Sequence, residues 1–513
     1  MKPGAAILSI GLALQVSAQP MFGIQWSRTF GGSLSDQARG ACVVPGGFAL
    51  AGTSNSNDGL ALGGHGLQDA WVLGLSDDGA VVWQRLIGGS GNDRGCAIMA
   101  MPDGGCVIAG ETQSNDGDVS GHHGMADFLV ARLDSLGSIV WLRALGGSGS
   151  DVANAVSMAA NGDVLVAGST RSVDGDVSGL HGDGTTSDMW VARLSADGQL
   201  LWRAAVGGSL TDVAWALCAM PDGGMLVVGE SDSQDGDVVG AHGLKDACAC
   251  RLGPTGELLW CRALGGSLED MAYGAFATPD GGAVLVGESR SGDGDVFGGH
   301  GAYDAWVLRL SNSGGVMWQR MLGGSQNDRF NAIAGLSGGR YLLAGSTYSL
   351  NGNVTGQHGS EDCWLVLVDA GGGLLWERCF GGTQVERAFA VSSDPLGGTL
   401  FAGYTTSSNG DVEQNAGLSD TWAVRLDDFT QMAETRKDSF GVRPNPARGE
   451  AFIMLPHNGP AECRISDTRG RIAGEFLLQG PEDRLSVEQL APGAYVVRVS
   501  TGTSAYGQLL IIE

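Results

Sequence analysis

The chain has 513 residues, 87 of them glycine, with 17% charged residues and 56 Asp and Glu against 30 Lys and Arg, a net charge of −26. An acidic balance this strong argues against nucleic acid as a partner, since phosphate binding draws on a surplus of Lys and Arg that releases counterions. Abundant glycine with few charges points away from a helical enzyme and toward short strands punctuated by turns.

The first expected element is a secretory signal over residues 1–18: Lys2, the apolar run Ala5 to Leu14, and the small residues Val16-Ser17-Ala18 before the cleavage point. That run is too short to span a bilayer, and no later stretch is long and apolar enough for a transmembrane segment. A lone strand, Ile24 to Phe30, follows and carries Trp26. This is the first of seven tryptophans (Trp26, Trp83, Trp141, Trp202, Trp260, Trp318 and Trp376), each followed by Gly-Gly-Ser or Gly-Gly-Thr. They recur about 58 residues apart, so one supersecondary unit is stacked on copies of itself.

Within the second unit, Gly95–Met101 reads as a strand, Pro102–Gly105 as a turn and Cys106–Gly110 as the return strand. A polar loop over Asn115–Gly124 leads to a third strand, Asp127–Leu133, and a turn at Ser135–Gly137 leads to a fourth, Ile139–Leu145. Four antiparallel strands per repeat predict an all-β fold of β-propeller blades. The lone Ile24–Phe30 strand lacks three strands before it, and the last unit stops on its third, Thr421–Leu426. Joining the two predicts seven complete blades with no open sheet edge. The repeated Trp is expected to pack between neighbouring blades.

Each Gly-Gly-Ser/Thr leads to an acid: Asp36, Asp93, Asp151, Asp212, Asp270, Asp328 and Glu386. The long loops repeat Asx-Gly-Asx-Val in units two to seven, and His-Gly in units one to six, with His65, His123, His181, His242, His300 and His358. Oxygen-rich loops suggest Ca²⁺, with Asp116, Asp118, Asp235, Asp237, Asp293 and Asp295 as candidate ligands, although the spacing is not that of an EF-hand. The competing reading is turn chemistry, because Gly accepts positive φ and Asx side chains bond nearby backbone. No other cofactor is suggested.

A single site should break the repeat. In each first strand the acid is followed by alternating small residues, and the positions between them vary. One set is Gln37, Arg94, Val152, Val213, Met271, Arg329 and Arg387; the other is Arg39, Cys96, Asn154, Trp215, Tyr273, Asn331 and Phe389. First strands face the central channel of a propeller, so these side chains are expected at its mouth. Arg39, Arg94, Arg329 and Arg387 would form a cationic arc and Val152, Val213, Met271, Trp215 and Tyr273 an apolar and aromatic one, with Asn154, Asn331 and Phe389 as further candidates at the mouth. Aromatic faces and bidentate guanidiniums suit an anionic glycan or similar polar ligand; packing between blades, or pairing with the repeated acids, is the alternative. No catalytic residue is nominated: a glycan-acting hydrolase or lyase requires a fixed pair of carboxylates, and the repeated acids are too alike to single out two. A display protein without a ligand is the third reading. The ten cysteines form no repeating framework. A hairpin turning at Gly253–Gly256 would set Cys248 against Cys261, close enough for a bridge.

After Asp428 the repeat ends, and residues 429–441 read as a linker. Residues 442–513 contain Arg443-Pro444-Asn445-Pro446-Ala447, Ile465-Ser466-Asp467-Thr468-Arg469-Gly470, Leu485-Ser486-Val487 and Leu490-Ala491-Pro492-Gly493-Ala494-Tyr495-Val496-Val497-Arg498-Val499. This series resembles the type A C-terminal sorting domain of type IX (Por) secretion in Bacteroidetes-type bacteria. The resemblance implies a small β-sandwich, recognition by the type IX machinery, and delivery of residues 19–428 to the cell surface or the medium. The repeats themselves resemble uncharacterised glycine-rich propeller repeats of secreted proteins, which bring no activity with them. Quinoprotein propellers share the turn echoed in Asp134, Gly137 and Trp141, here one residue short. The sialidase Asp-box is echoed in Ser195-Ala196-Asp197-Gly198, with its Gly one place early. Neither supports an enzyme.

Overall fold

The computed structural model describes residues 22–394, 398–428, 441–448, 450–454, 461–467, 471–478, 482–500 and 505–512. The signal segment and nearly all of the linker lie outside the described residues. Among those described, the structure is all-β apart from one 3₁₀ turn at Ser337–Gly339, and no helix is long and apolar enough to cross a membrane. Two compact units are present, one spanning Ile24–Asp427 and one holding the strands that follow.

The larger unit consists of seven four-stranded sheets in a propeller-like series. In sheet two the strands are Asp93–Ala100, Cys106–Thr112, Asp127–Leu133 and Ile139–Leu145, paired antiparallel in that order. The third and fourth have the bounds expected from period and turn glycines. Second and third strands are buried along nearly their whole length, whereas fourth strands alternate. This explains why the middle strands read as continuous apolar runs: both of their faces are covered. Sheet seven takes Phe22–Phe30 as its fourth strand, beside Asp420–Asp428. The Trp422 indole donates across this junction to Ser27 Oγ at 2.9 Å. The first strand of sheet one, Asp36–Val44, packs against the first strands of sheets two and seven.

The repeated Trp lies between neighbouring sheets, as expected. Trp141 and Trp202 donate from Nε1 to Ala196 O and Pro254 O, in the last turn of the following sheet, both at 3.1 Å. The same turn in sheet two explains one glycine. Gly137 sits at φ 81°, and a Cβ there would collide with the Trp83 ring. Several of these tryptophans are only half-buried. The fully buried ones form a second set that the repeat count overlooks: Trp190, Trp306, Trp364 and Trp422, two residues into their third strands, with Trp71 nearly as enclosed.

One pairing differs from expectation. The bridge is Cys250–Cys261, not Cys248–Cys261; Cys248 is a buried free thiol whose sulfur lies 3.4 Å from that of Cys261. The turn closes through Gly253 N–H to Glu257 O, and a bulge beside Arg251 adds a further residue to the fourth strand. Both changes slide the ladder, so that Cys250 faces Cys261 and Cys248 faces Ala263.

In the smaller unit seven strands pair in one series, with Gly441–Arg448 shared between two ladders. Its start pairs with Phe452–Met454, while Ala447 pairs in parallel with Ile512. Pro444 and Pro446 fall in the gap, where residues without an N–H cannot continue a ladder. Val442, Ile453, Ile465, Val497, Val499 and Leu510 are among the residues of the core.

Candidate functional site

Every first strand carries a bulge at one place. The register slips between Ala38 and Gly40, Gly95 and Ala97, Ala153 and Ala155, Ala214 and Ala216, Ala272 and Gly274, Phe330 and Ala332, and Ala388 and Ala390. The extra residues are Arg39, Cys96, Asn154, Trp215, Tyr273, Asn331 and Phe389, one of the two variable sets. A bulge frees a residue from the ladder and re-aims its side chain, so constant small neighbours hold the backbone while the bulged residue is free to differ.

All seven line one cavity of about 1110 Å³, walled by the first strands of all seven sheets. Arg94 and Arg329 also line it, whereas Arg387 does not. Arg387 is held instead by Glu361, Nε to both carboxylate oxygens at 2.7 and 2.8 Å. Desolvation works against its charge, but the Glu361 carboxylate prevails and holds the guanidinium above its ordinary value. Arg94 is likewise paired, its Nε 2.7 Å from Glu111 Oε1. Arg329 reaches Ser346 Oγ at 3.4 Å and lies 3.9 Å from Glu361. These partners are not the strand-starting acids; they come from second strands and from the start of a third.

Arg39 is different. Its hydrogen bond to Gln37 Oε1 is a long one, 3.4 Å, and its guanidinium carbon sits 4.2 Å from the Phe389 ring centroid. Desolvation, together with the charges of Arg94 and Arg329, lowers its pKa, with Cys96 and Tyr404 opposing. On the far arc Trp215 is 37% exposed and meets Tyr273 edge-on, with centroids 6.1 Å apart. The Tyr273 hydroxyl donates to Glu288 at 2.9 Å. Burial pushes the Glu288 carboxyl up, opposed by Arg329 and by that hydrogen bond. Asn154 and Asn331 act as staples, donating to Ala214 O at 2.9 Å and Ala388 O at 2.8 Å in the next sheets. Arg39, Arg94, Arg329, Trp215 and Tyr273 thus line one cavity, while Arg387 lies outside its lining and Arg94, Arg387 and the two asparagines are engaged by the protein itself.

Sequence reasoning passed over Glu111, Arg171, Glu288 and Glu361. A signal existed: Gly110-Glu111-Thr112, Gly229-Glu230-Ser231 and Gly287-Glu288-Ser289 stand where other sheets have Thr53, Ser169, Ser346 or Tyr404. Comparing second strands as first strands were compared reveals it.

The repeated polar residues are committed to the frame. Asp212 accepts from Gly208 N–H at 2.8 Å, from Ser233 Oγ at 2.9 Å and from Ser231 Oγ. Of the Ca²⁺ candidates, Asp116, Asp235 and Asp293 each accept a Ser backbone N–H of the Gly-Gly-Ser turn at 2.7 Å. Asp118 pairs with Arg85 at 2.7 Å, and Asp237 and Asp295 face the N–H of Gly207 and Gly265 at 3.4 Å. The loop histidines cap third-strand acids, as in His123 N–H to Asp127 Oδ2 at 2.8 Å. In the last unit the Ala416 N–H does the same for Asp420 at 2.6 Å.

Residues 442–513 match the secretion system C-terminal sorting domain. With this tail the protein is cargo of the type IX secretion machinery, secreted or held at the outer-membrane surface. The chain is 24% identical to the regulatory protein FlaEY of Caulobacter vibrioides over an alignment of 395 residues that covers 67% of this chain and 40% of that protein. It thus spans less than half of that relative's length. Two solved structures are similar at TM-scores of 0.40 and 0.43. The first is PorZ, an essential surface component of the type IX secretion system of Porphyromonas gingivalis, 10% identical, covering 94% of this chain and 60% of its own. The second is the extracellular domain of a hybrid two-component system from B. thetaiotaomicron, 11% identical, covering 96% and 60%.

Proposed function

We propose that this surface-directed protein is a binding module. In this reading residues 19–428 form a closed seven-bladed propeller that binds a glycan in its channel mouth, and residues 442–513 form a sorting sandwich joined to it by a linker. The observation that carries the reading is the set of seven bulges. One repeated backbone feature delivers seven side chains of six kinds to a single cavity, and an exposed indole, Trp215, stands among them. Ligand pockets combine apolar and aromatic walls with a few fixed polar groups, and sugar rings stack on such faces.

Binding is favoured over hydrolysis by the acids in the wall. Glycoside hydrolysis uses two carboxyl groups across the scissile bond. The described lining contains one, Glu111, and it is tied to Arg94.

The test is a glycan array probed with the full mature chain and with Trp215→Ala. Retention of a glycan by the wild type, without turnover, and its loss in the variant would support the reading. Cleavage of the retained glycan would replace it with a catalytic one, and silence from the wild type across the array would end it.

A further inference from the structure

The cavity wall inverts the charge of the protein around it. Acidic residues outnumber basic ones 56 to 30 over the whole chain. In the cavity lining the count reverses, with Arg39, Arg94, Arg171 and Arg329 against Glu111 alone. Glu111 neutralises Arg94 through contacts of 2.7 and 2.6 Å, and Arg329 leans toward Glu361. Arg39 and Arg171 have no carboxylate in salt-bridge range among the described residues. Two guanidiniums are therefore left facing the same cavity with no counter-charge.

Keeping like charges together in a partly enclosed space is unfavourable unless something offsets them. Arg39 is also oriented: it lies over the Phe389 ring, which holds the planar fork in place while leaving its edge free for bidentate contact. Low-dielectric walls concentrate the local positive potential, although the molecule as a whole repels anions.

We infer that the channel is an anion site, and that its ligand is an acidic saccharide with at least two negative charges, seated on Arg39 and Arg171 while a sugar ring stacks on Trp215. This rests on the glycan-binding reading and specifies the class of glycan. Carboxylates and sulfate esters share the required chemistry.

The experiment uses the full mature chain, with Arg39→Gln and Arg171→Gln as variants. Neither side chain supports a described ion pair, so unchanged melting of the variants serves as the folding control. Four probes are titrated at low salt: a galacturonic acid trimer, the matching galactose trimer, a sulfated chondroitin tetrasaccharide and inorganic pyrophosphate. An acidic oligosaccharide should bind, the neutral trimer should bind at least about tenfold more weakly, and each Arg variant should lose about tenfold in affinity, equivalent to about 1.4 kcal/mol. Affinity should also fall as salt rises. The uronate and sulfate arms tell the two sources of charge apart. Equal binding of acidic and neutral trimers would overturn the anion site and leave the glycan reading standing. If no saccharide binds but pyrophosphate does, and Arg39→Gln abolishes it, the anion site stands and the glycan reading falls. If pyrophosphate is also ignored, both fall.

Discussion

The junctions between sheets and the wall of the cavity are built from the same strands, yet they follow opposite rules. At the junctions each sheet repeats its neighbour: a strand-starting acid, saturated by serine or threonine hydroxyls and a glycine N–H, beside a third-strand Asp capped by a loop N–H. At the cavity, a few residues along the same first strand, no two adjacent sheets present the same bulged side chain. The acid at the head of the strand fixes where the strand begins, and the bulge lets one residue depart from the pattern without moving the rest. The contacts that hold the sheets together therefore lie where the units agree, and the variation lies where they differ.

The largest effect should come from cutting into the shared frame. Trp306 is fully buried and donates to Gln319 Oε1 at 3.0 Å. Trp306→Ala should cost about 3–5 kcal/mol, a large part of a typical folding free energy of about 5–15 kcal/mol, read as a fall in denaturation midpoint. If its cost were no greater than that of a half-buried fourth-strand Trp such as Trp318, the buried third-strand set would not be the main anchor of each sheet.

A smaller effect tests the electrostatics of the junctions. Burial first, with the Glu386 charge adding to it and the His358 contacts opposing, raises the Asp362 carboxyl from 3.8 to about 6. The folded state then holds that proton more tightly than the unfolded chain. The contribution of Asp362 is most favourable below about pH 4, declines as the pH rises to about 6, and is level above that. Asp362→Asn keeps an acceptor for the His358 N–H but cannot titrate. Its stability relative to wild type should rise by about 1–2 kcal/mol between pH 4 and 6, measured by denaturant unfolding at several pH values. A flat difference would mean that the carboxylate is compensated at the junction.

The frame was legible in the sequence because its causes are local. Turn glycines, strand-starting acids and alternating apolar residues mark each strand within a few residues, and Asp127–Leu133 and Ile139–Leu145 appear with the bounds read from them. What was not legible depends on pairing. A bulge exists only relative to a second strand, so the seven variable residues could be listed without knowing why they face the cavity. The cysteine partner shifted from Cys248 to Cys250 for the same reason, since one residue in the turn and one in the bulge are invisible until the ladder forms. The neutralising partners were hidden differently. Glu361 lies far along the chain from Arg387, and nothing local in either segment points to the other.

The smallest expected change in stability is also the sharpest test of the contrast between frame and wall. Trp215 is a tryptophan in a protein whose other tryptophans hold sheets together, so a frame role is the natural default for it. Its position argues otherwise: it is the bulged residue, it is partly exposed, and it meets the Tyr273 ring edge-on. An aromatic pair of that kind is worth about 0.5–1.5 kcal/mol, and the bulge itself is set by Ala214 and Ala216, which the substitution leaves alone. Trp215→Ala should therefore lower stability by no more than about 1.5 kcal/mol, well short of the cost of Trp306→Ala, while removing the aromatic face of the cavity. A loss comparable to that of Trp306→Ala would assign Trp215 to the frame and leave the Arg39 arc as the part of the wall free to recognise anything.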